Sequence, residues 1–265
     1  MRILVCFQIV PDLDGVMERD WDAAALEDWD IGYAKKIISC YDEAALECAL
    51  RIKDAIQAQG DEAEVDAVTI GGCGEIFYKN MFAVGIRRVL EITPPEKDLR
   101  FAPRRTAAAL APVAKGYDLV LCGRQSALGD NGVTPFALAR LLGIPCLSNA
   151  ASLTWRDGAL HAVLERETGL LHGQAALPLV AAIGNSDTPY LRVATLREKL
   201  RVSKARPEVL PWEEPEGEPG DPRPAALYRK KLQKQCRMLD GSDPAAAARE
   251  LYRCWKEGLA RKELR

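Results

Sequence analysis

The chain holds only two histidines, His161 and His172, eleven positions apart. A histidine-built metal centre or a Ser-His-Asp hydrolase has almost no raw material here. Cysteines are present at 6, 40, 48, 73, 122, 146, 236 and 254, but no two form a CxxC pair. Most sit inside apolar runs such as LVCF and LVLCG, so they read as small buried thiols of a reducing compartment. The opening MRILVCFQIVPD lacks the h-region and cleavage pattern of an export signal, which predicts a cytoplasmic protein. Long apolar runs are missing too. The longest clean one, Ala175 to Ile183, is about half of the ~20 residues that span a bilayer. Net charge is also scarce: Lys plus Arg is 36 and Asp plus Glu is 38, a formal −2. Such a chain has no whole-molecule field for nucleic acid or acidic membranes. Neither GxGxxG nor a Walker loop occurs.

What is present is alternation of strand and helix patterns over 265 residues. RILVCF at 2–7 is a short buried-strand pattern, and 10–36 is a polar, acidic excursion. The run DEAALECALRIKDAIQAQG from Asp42 carries apolar positions 45, 46, 49, 52 and 56, acids in its first turn and a closing Gly60. That is a helix. EVDAVTI at 64–70, RVLEI at 88–92 and DLVLC at 118–122 predict further strands. Helices are expected after Gly71-Gly72, over 101–116 and from about Thr134 to Gly143. The order predicts an α/β fold, a doubly wound, mostly parallel sheet with helices on both faces. After Pro145 the pattern changes to a hairpin around Asp157-Gly158 and a strand at 177–183. Residues 207–224 hold six prolines and six acids and read as an extended linker. Ser242-Asp243-Pro244 then opens a final helix with Ala248, Leu251, Tyr252, Trp255 and Leu259 on one face. The expected organisation is an α/β domain at 1–206, a linker at 207–224 and a helical arm at 225–265.

In such a sheet, ligands sit beyond the carboxyl ends of the strands at the switch in strand order. Three loops qualify: Phe7 to Asp12, Gly71 to Gly74 and Gly123 to Thr134. The third, GRQSALGDNGVT, leaves a strand and enters a helix, as a phosphate-binding loop or as a plain turn. GGCG at 71–74 suits either a nucleoside against bare backbone or a tight turn. Cys73 there has no general base nearby in sequence. Arg124 could pair a phosphate or Asp130. The segment REKLRVSKAR at 197–206 is strongly basic, without the interleaved aromatics of a nucleic-acid binder.

Together these segments resemble the beta subunit of electron transfer flavoproteins, including the FixA type. ILVCFQIVPD is similar to that family's opening strand and loop, and IISCYDEAALECALRIKD to its helix entry. GRQSALGDNGVTPFALARLLGIP lies on its Gly-Arg-Gln loop without a gap. VLERETG, ALPLVAAI and VATLREKLRVSKARP resemble its Arg-Glu signature, its Pro-containing strand and its recognition loop. The likeness covers roughly 1–207. It implies a Rossmann-like fold of the adenine-nucleotide-hydrolase type and an electron carrier, not an enzyme. AMP, or FAD in the bifurcating members, would bind this chain, and a partner alpha subunit would carry the redox-active FAD. Electrons would pass from an acyl-CoA or other dehydrogenase to a quinone or other acceptor. By position, the nucleotide site would comprise Cys6, Ser39, Ile70, Gly123, Asp130, Asn131, Gly132, Val133 and Thr134. Tyr41 and Glu167 would lie near the partner's flavin, and Leu196 would dock the dehydrogenase. Ser39 replaces the family's Asn, Cys40 its Pro, Val133 its Gln and Leu128 its Asp, each removing a contact that the family makes. The alternative is a non-redox adenine-nucleotide module of similar fold. An ATP pyrophosphatase relative would need an SGGxDS-like first loop, and CFQIVPD is not one.

Overall fold

The computed structural model describes residues 1–17, 20, 31–94, 99, 101–126, 132–214 and 238–262, with side chains to 256. The chain divides into two compact units, Met1–Leu227 and Tyr228–Arg265.

The first unit is built on one nine-stranded sheet. Its strands are β1 (Arg2–Cys6), β4 (Glu64–Ile70), β5 (Arg88–Ile92), β6 (Leu119–Gly123), β7 (Cys146–Arg156), β8 (Ala159–Arg166), β9 (Gly169–Ala175), β10 (Leu179–Ile183) and β11 (Glu208–Leu210). The spatial order is β11-β5-β4-β1-β6-β10-β7-β8-β9. Neighbours are parallel except β7 with β8 and β8 with β9. A separate antiparallel ribbon pairs β2 (Ile9–Pro11) with β3 (Lys36–Ile38), so the acidic excursion begins and ends as strand.

Helices α1 (Cys40–Ala58) and α2 (Glu75–Ala83) cover one face of the sheet, and α3 (Pro103–Ala114) and α4 (Thr134–Leu142) the other. The period-2 alternation of a strand sorts the core between them. Ile3, Val5, Leu119 and Leu121 face α1, whose Ala45, Leu46, Ala49, Ile52 and Ile56 form the expected buried stripe. Leu4, Cys6, Val120 and Cys122 face α3 and α4, against Ala107, Leu110 and Leu138. The hairpin turns at Asp157 and Gly158, both at positive φ (51° and 72°), the two-residue turn whose twist matches its strands. The Pro/Glu-rich segment begins as edge strand β11, bracketed by Pro207 and Pro211, where no ladder donor is lost. Arg105 and Glu214 form an ion pair beyond it. A short helix, α5 (Leu196–Arg201), precedes this strand.

Near the amino ends of the strands, Asp66 is buried and accepts hydrogen bonds from Arg87 (2.6 Å), Arg88 (3.2 Å) and Tyr117 (2.6 Å). Burial pushes its pKa up, but those bonds outweigh it and hold the carboxyl below its ordinary 3.8. Its stabilising charge is therefore present at neutral pH and lost as pH falls through that depressed value. Asp66→Asn is expected to cost about 3 kcal/mol at pH 7, seen as a lower urea midpoint at unchanged m. An unchanged midpoint would show the cluster to be idle.

The second unit contains helix α6 (Pro244–Lys262). The Asp243 carboxylate accepts from the amides of Ala245 and Ala246, capping it at the expected place. Tyr252 and Trp255 pack with ring centroids 5.9 Å apart. No helix among the described residues is long and apolar enough to cross a membrane.

Candidate functional site

The strand order runs outward from β1 through β4 and β5, then returns to place β6 on β1's other side. Beyond the carboxyl ends of β1 and β6 the backbone parts, and a cavity of about 560 Å³ opens there. Its size falls within the usual range for small-ligand sites. One side is mainly apolar, lined by Val68, Thr69 and Ile70 of β4 and by Pro94, Leu99, Pro103, Thr106 and Leu110. The other side is polar, lined by Arg124, Gln125, Ser126, Gly132 and Thr134 of the β6–α4 connection. Cys6 and Cys122, paired in the β1–β6 ladder, line it as well.

Asp42 ties the cavity together. It stands in the first turn of α1, where the helix dipole favours an acid. Its Oδ2 accepts from the Gln8 amide and its Oδ1 from the Gly123 amide, both at 2.9 Å. One carboxylate thus clamps the ends of two strands. Burial raises its pKa from 3.8 to about 7, against the pull of the Gly123 and Gln8 amides and the Ser39 hydroxyl. The folded protein holds this proton where the unfolded chain releases it, so Asp42 lowers stability progressively as pH rises from about 4 to about 7. Removing the charge by Asp42→Asn is expected to flatten that slope in urea titrations taken from pH 5 to pH 8. A slope identical to wild type would refute the raised value.

Gly123 has no space for a side chain: a Cβ would sit 2.4 Å from Asp42 Oδ1 and 2.9 Å from Tyr41 Cβ. Gly132 adopts φ +56°, and a Cβ there would lie 3.0 Å from the Arg124 carbonyl. It leads into α4, whose N-terminus has no side-chain cap bond and begins Thr134-Pro135. First-turn amides have no partner within their helix, and Pro135 contributes none. Backbone donors and the positive end of α4 therefore face the polar half of the cavity.

Of the positions carried over by resemblance, Cys6, Ile70, Gly123, Gly132 and Thr134 line the cavity. Ser39 is buried and Val133 is exposed, and neither is among the lining residues. Asp130 and Asn131 lie outside the described residues, as do Leu128 and Cys236. Cys122 stays a thiol, its pKa driven well up by hydrogen bonding to Cys6 and by burial. The Cys73 thiol is raised to about 12 by burial and Glu91, which leaves it no nucleophilic role at neutral pH.

A second polar cluster lies over the ends of β6, β7 and β10. The Arg124 guanidinium sits 5.1 Å over the Tyr41 ring and donates to Asn149 Oδ1 at 3.1 Å. Asn149 holds a positive φ of 53° at a bulge and donates to the Glu165 carbonyl. The Asn185 amide donates to Glu165 Oε2 at 3.1 Å and faces the Tyr41 hydroxyl at 3.4 Å. Asn185 thus links Tyr41 to Glu165, and Glu167 is exposed in the β8–β9 turn.

Leu196 is 74 % exposed at the start of α5, where Thr195 and Glu198 form a capping box. The preceding loop is pinned to α1. Glu43 accepts from the Leu191 amide, and Glu47 accepts from the Arg192 amide and guanidinium. Sequence reading missed this anchor; Glu47, one acid on a helix that is otherwise buried at that point, was its visible sign.

The electron transfer flavoprotein domain profile matches residues 32–187, more than half of the chain and all of the strands that line the cavity except β1 and β2. The chain belongs to the electron transfer flavoprotein family. Over 259 residues it is 28 % identical to YgcR of Escherichia coli (strain K12), a protein provisionally named an electron transfer flavoprotein subunit. That match covers 95 % of this chain and 96 % of YgcR. The doubly wound sheet is the architecture expected of an electron transfer flavoprotein domain. Among the described residues, no group of three or more His, Cys, Asp or Glu could hold a metal ion.

The cavity fits the adenylate portion that AMP and FAD share. Gly123 and Gly132 bring bare backbone close, the apolar side suits a base, and the N-terminal end of α4 suits a phosphate.

Proposed function

We propose that this chain is the beta-type subunit of a two-chain electron transfer flavoprotein. In this reading the cavity between β1 and β6 holds an adenine nucleotide, AMP or FAD, and an alpha-type partner carries the redox-active FAD. The observation that carries it is the cavity itself: apolar walls on the β4 side, backbone donors on the α4 side, in a chain of this family. The flavin supplies the electron chemistry, while the protein supplies positioning and electrostatics. Cys6, Ile70 and Gly123 would face the nucleoside, and Gly132 and Thr134 the phosphate. Tyr41, with Arg124 beside it, and Glu167 would border the partner's flavin. Leu196 would dock an acyl-CoA or other dehydrogenase, and the α6 stripe would reach the alpha subunit. The setting would be the cytoplasm.

A non-redox nucleotide module of the same fold has no use for an exposed leucine held out on a pinned loop. That observation favours the electron carrier.

Co-expression with an alpha-type partner, denaturation and chromatography of the released nucleotides tests the reading. One FAD per heterodimer plus one AMP, or two FAD, is expected. A complex that releases one FAD and no second adenine nucleotide would overturn the assignment of the cavity. Leu196→Ala is expected to slow electron transfer from the dehydrogenase at least tenfold, with bound flavin unchanged. Unaltered rates would reject the docking role.

A further inference from the structure

We propose that Cys6 and Cys122 are a redox-sensitive dithiol: hydrogen peroxide entering the cavity oxidises the pair to a reversible disulfide that staples the end of β1 to the end of β6. The strand ladder and the cavity carry this, whatever ligand the cavity takes.

Register brings the sulfurs together. β1 and β6 run parallel and adjacent, with Cys6 and Cys122 as direct partners in their ladder. Such neighbours on a pleated sheet project to one face, and both thiols pack in the cluster beneath α3 and α4. Adjacent strands lie about 4.7–4.9 Å apart, inside the ~4.4–6.8 Å between Cα atoms that a disulfide spans. The two thiols are already hydrogen bonded to each other. Among the described residues of the first unit, no other cysteine has such a neighbour. Cys146 is separated from β6 by β10, Cys48 and Cys73 pack on the opposite face of the sheet, and Cys40 is exposed at the start of α1.

Access sets this pair apart. Cys6 and Cys122 are only 7 % and 4 % exposed, and a thiol enclosed in packed core is inert. Both of these, however, line the cavity of about 560 Å³, ample room for a molecule as small as peroxide. The chemistry divides between them. Cys122 holds its proton, because its hydrogen bond to Cys6 and its burial oppose the anion. The Cys6 sulfur therefore attacks first. As a thiolate it displaces hydroxide from the peroxide, the O–O bond breaks, and a sulfenic acid forms on Cys6. The Cys122 sulfur then attacks the Cys6 sulfur, the S–O bond breaks, and the hydroxide leaves as water with the Cys122 proton. Two thiols give up two protons and two electrons, and the peroxide becomes two waters. A thiol reductant reverses the bond by exchange. The disulfide replaces a contact with a covalent tie just before the chain leaves β1 and β6, and so fixes the floor of the cavity.

The test treats the whole chain, in its heterodimer freed of nucleotide, with a slight excess of hydrogen peroxide. Remaining thiols are then blocked, and the protein is digested with trypsin without reduction. Cleavage after Arg2, Arg19, Lys115 and Arg124 isolates the two cysteines in peptides 3–19 and 116–124. A disulfide-linked pair of these peptides is expected by mass spectrometry, and its loss after dithiothreitol. In Cys122→Ser the link is expected to vanish, and Cys6 to be captured as a sulfenic acid by a 1,3-diketone. Recovery of both peptides as free thiols while Cys40 is oxidised would overturn the proposal. So would separate sulfinic or sulfonic acids on the two peptides with no link between them. If Cys122→Ser does not fold, the wild-type peptide map still decides.

Discussion

Gly123→Ala is expected to empty the cavity of nucleotide and destabilise the first unit by about 1–3 kcal/mol, the usual cost of forcing a carbon into packed space. The reason is local. The new Cβ would meet Asp42 Oδ1 at 2.4 Å, Tyr41 Cβ at 2.9 Å and the Asp42 amide at 3.1 Å. Tyr41 Cβ and the Asp42 amide belong to the start of α1, and the Asp42 carboxylate is itself held by two backbone amides. Either α1 shifts away or the end of β6 does, and both break the 2.9 Å bond from the Gly123 amide to Asp42. The carboxylate then keeps only the Gln8 amide among its two backbone donors. The cavity walls part where the nucleotide's centre would sit. Urea titration and nucleotide stoichiometry measure the two effects separately. A variant with native stability and a full nucleotide complement would mean that the clamp is not what shapes the site. At Gly132, φ is +56° and the nearest atom to a Cβ is 3.0 Å away, so alanine there should be milder in packing while still straining the backbone.

Much of this architecture could be read from residues alone. The stripe at 45, 46, 49, 52 and 56 is buried throughout, because a period of 3.6 leaves one face of α1 for the sheet. Asp157-Gly158 forms its turn because both positions need positive φ. β9 escaped notice because it is an edge strand, largely exposed, with no apolar alternation in GLLHGQA. β11 is three residues between prolines, and only the open edge of β5 makes it a strand. The site was legible as loops and glycines, not as contacts. Asp42 looks in sequence like any first-turn acid; its function arises because residues 34 and 81 positions away present their amides to it. Glu165 lies on β8 and Glu167 one residue beyond its end. The turn after Arg166 carries Glu167 into solvent and leaves Glu165 beside Asn185.

Arg192→Ala is expected to destabilise the first unit by about 2–3 kcal/mol and to loosen the loop that presents Leu196. Breaking a buried pair usually costs 3–5 kcal/mol through the orphaned charge, and the partial exposure of Arg192 reduces that. Glu47 is the buried partner, 4 % exposed. Burial disfavours its charge, yet bonds from Arg192 and Arg51 outweigh that and hold its pKa below 4.5. Arg192 also donates to Asp54 at 2.6 Å, so one side chain ties the loop to two turns of α1. Without it, Glu47 keeps Arg51 at 2.9 Å and the backbone amide at position 192, and loses the two bonds from the guanidinium. Neutralising the orphan should therefore recover part of the loss, with Glu47→Gln/Arg192→Ala melting above Arg192→Ala. The pH dependence separates charge from packing. In wild type the contribution of Glu47 is complete above about 4.5 and vanishes as pH falls through the depressed folded value. The single variant should lack most of that acid-side loss. Limited proteolysis between 188 and 195 reads the loop directly, and transfer from the dehydrogenase should fall even though Leu196 is intact. Wild-type melting with wild-type proteolysis would show that the leucine is held by something other than this anchor.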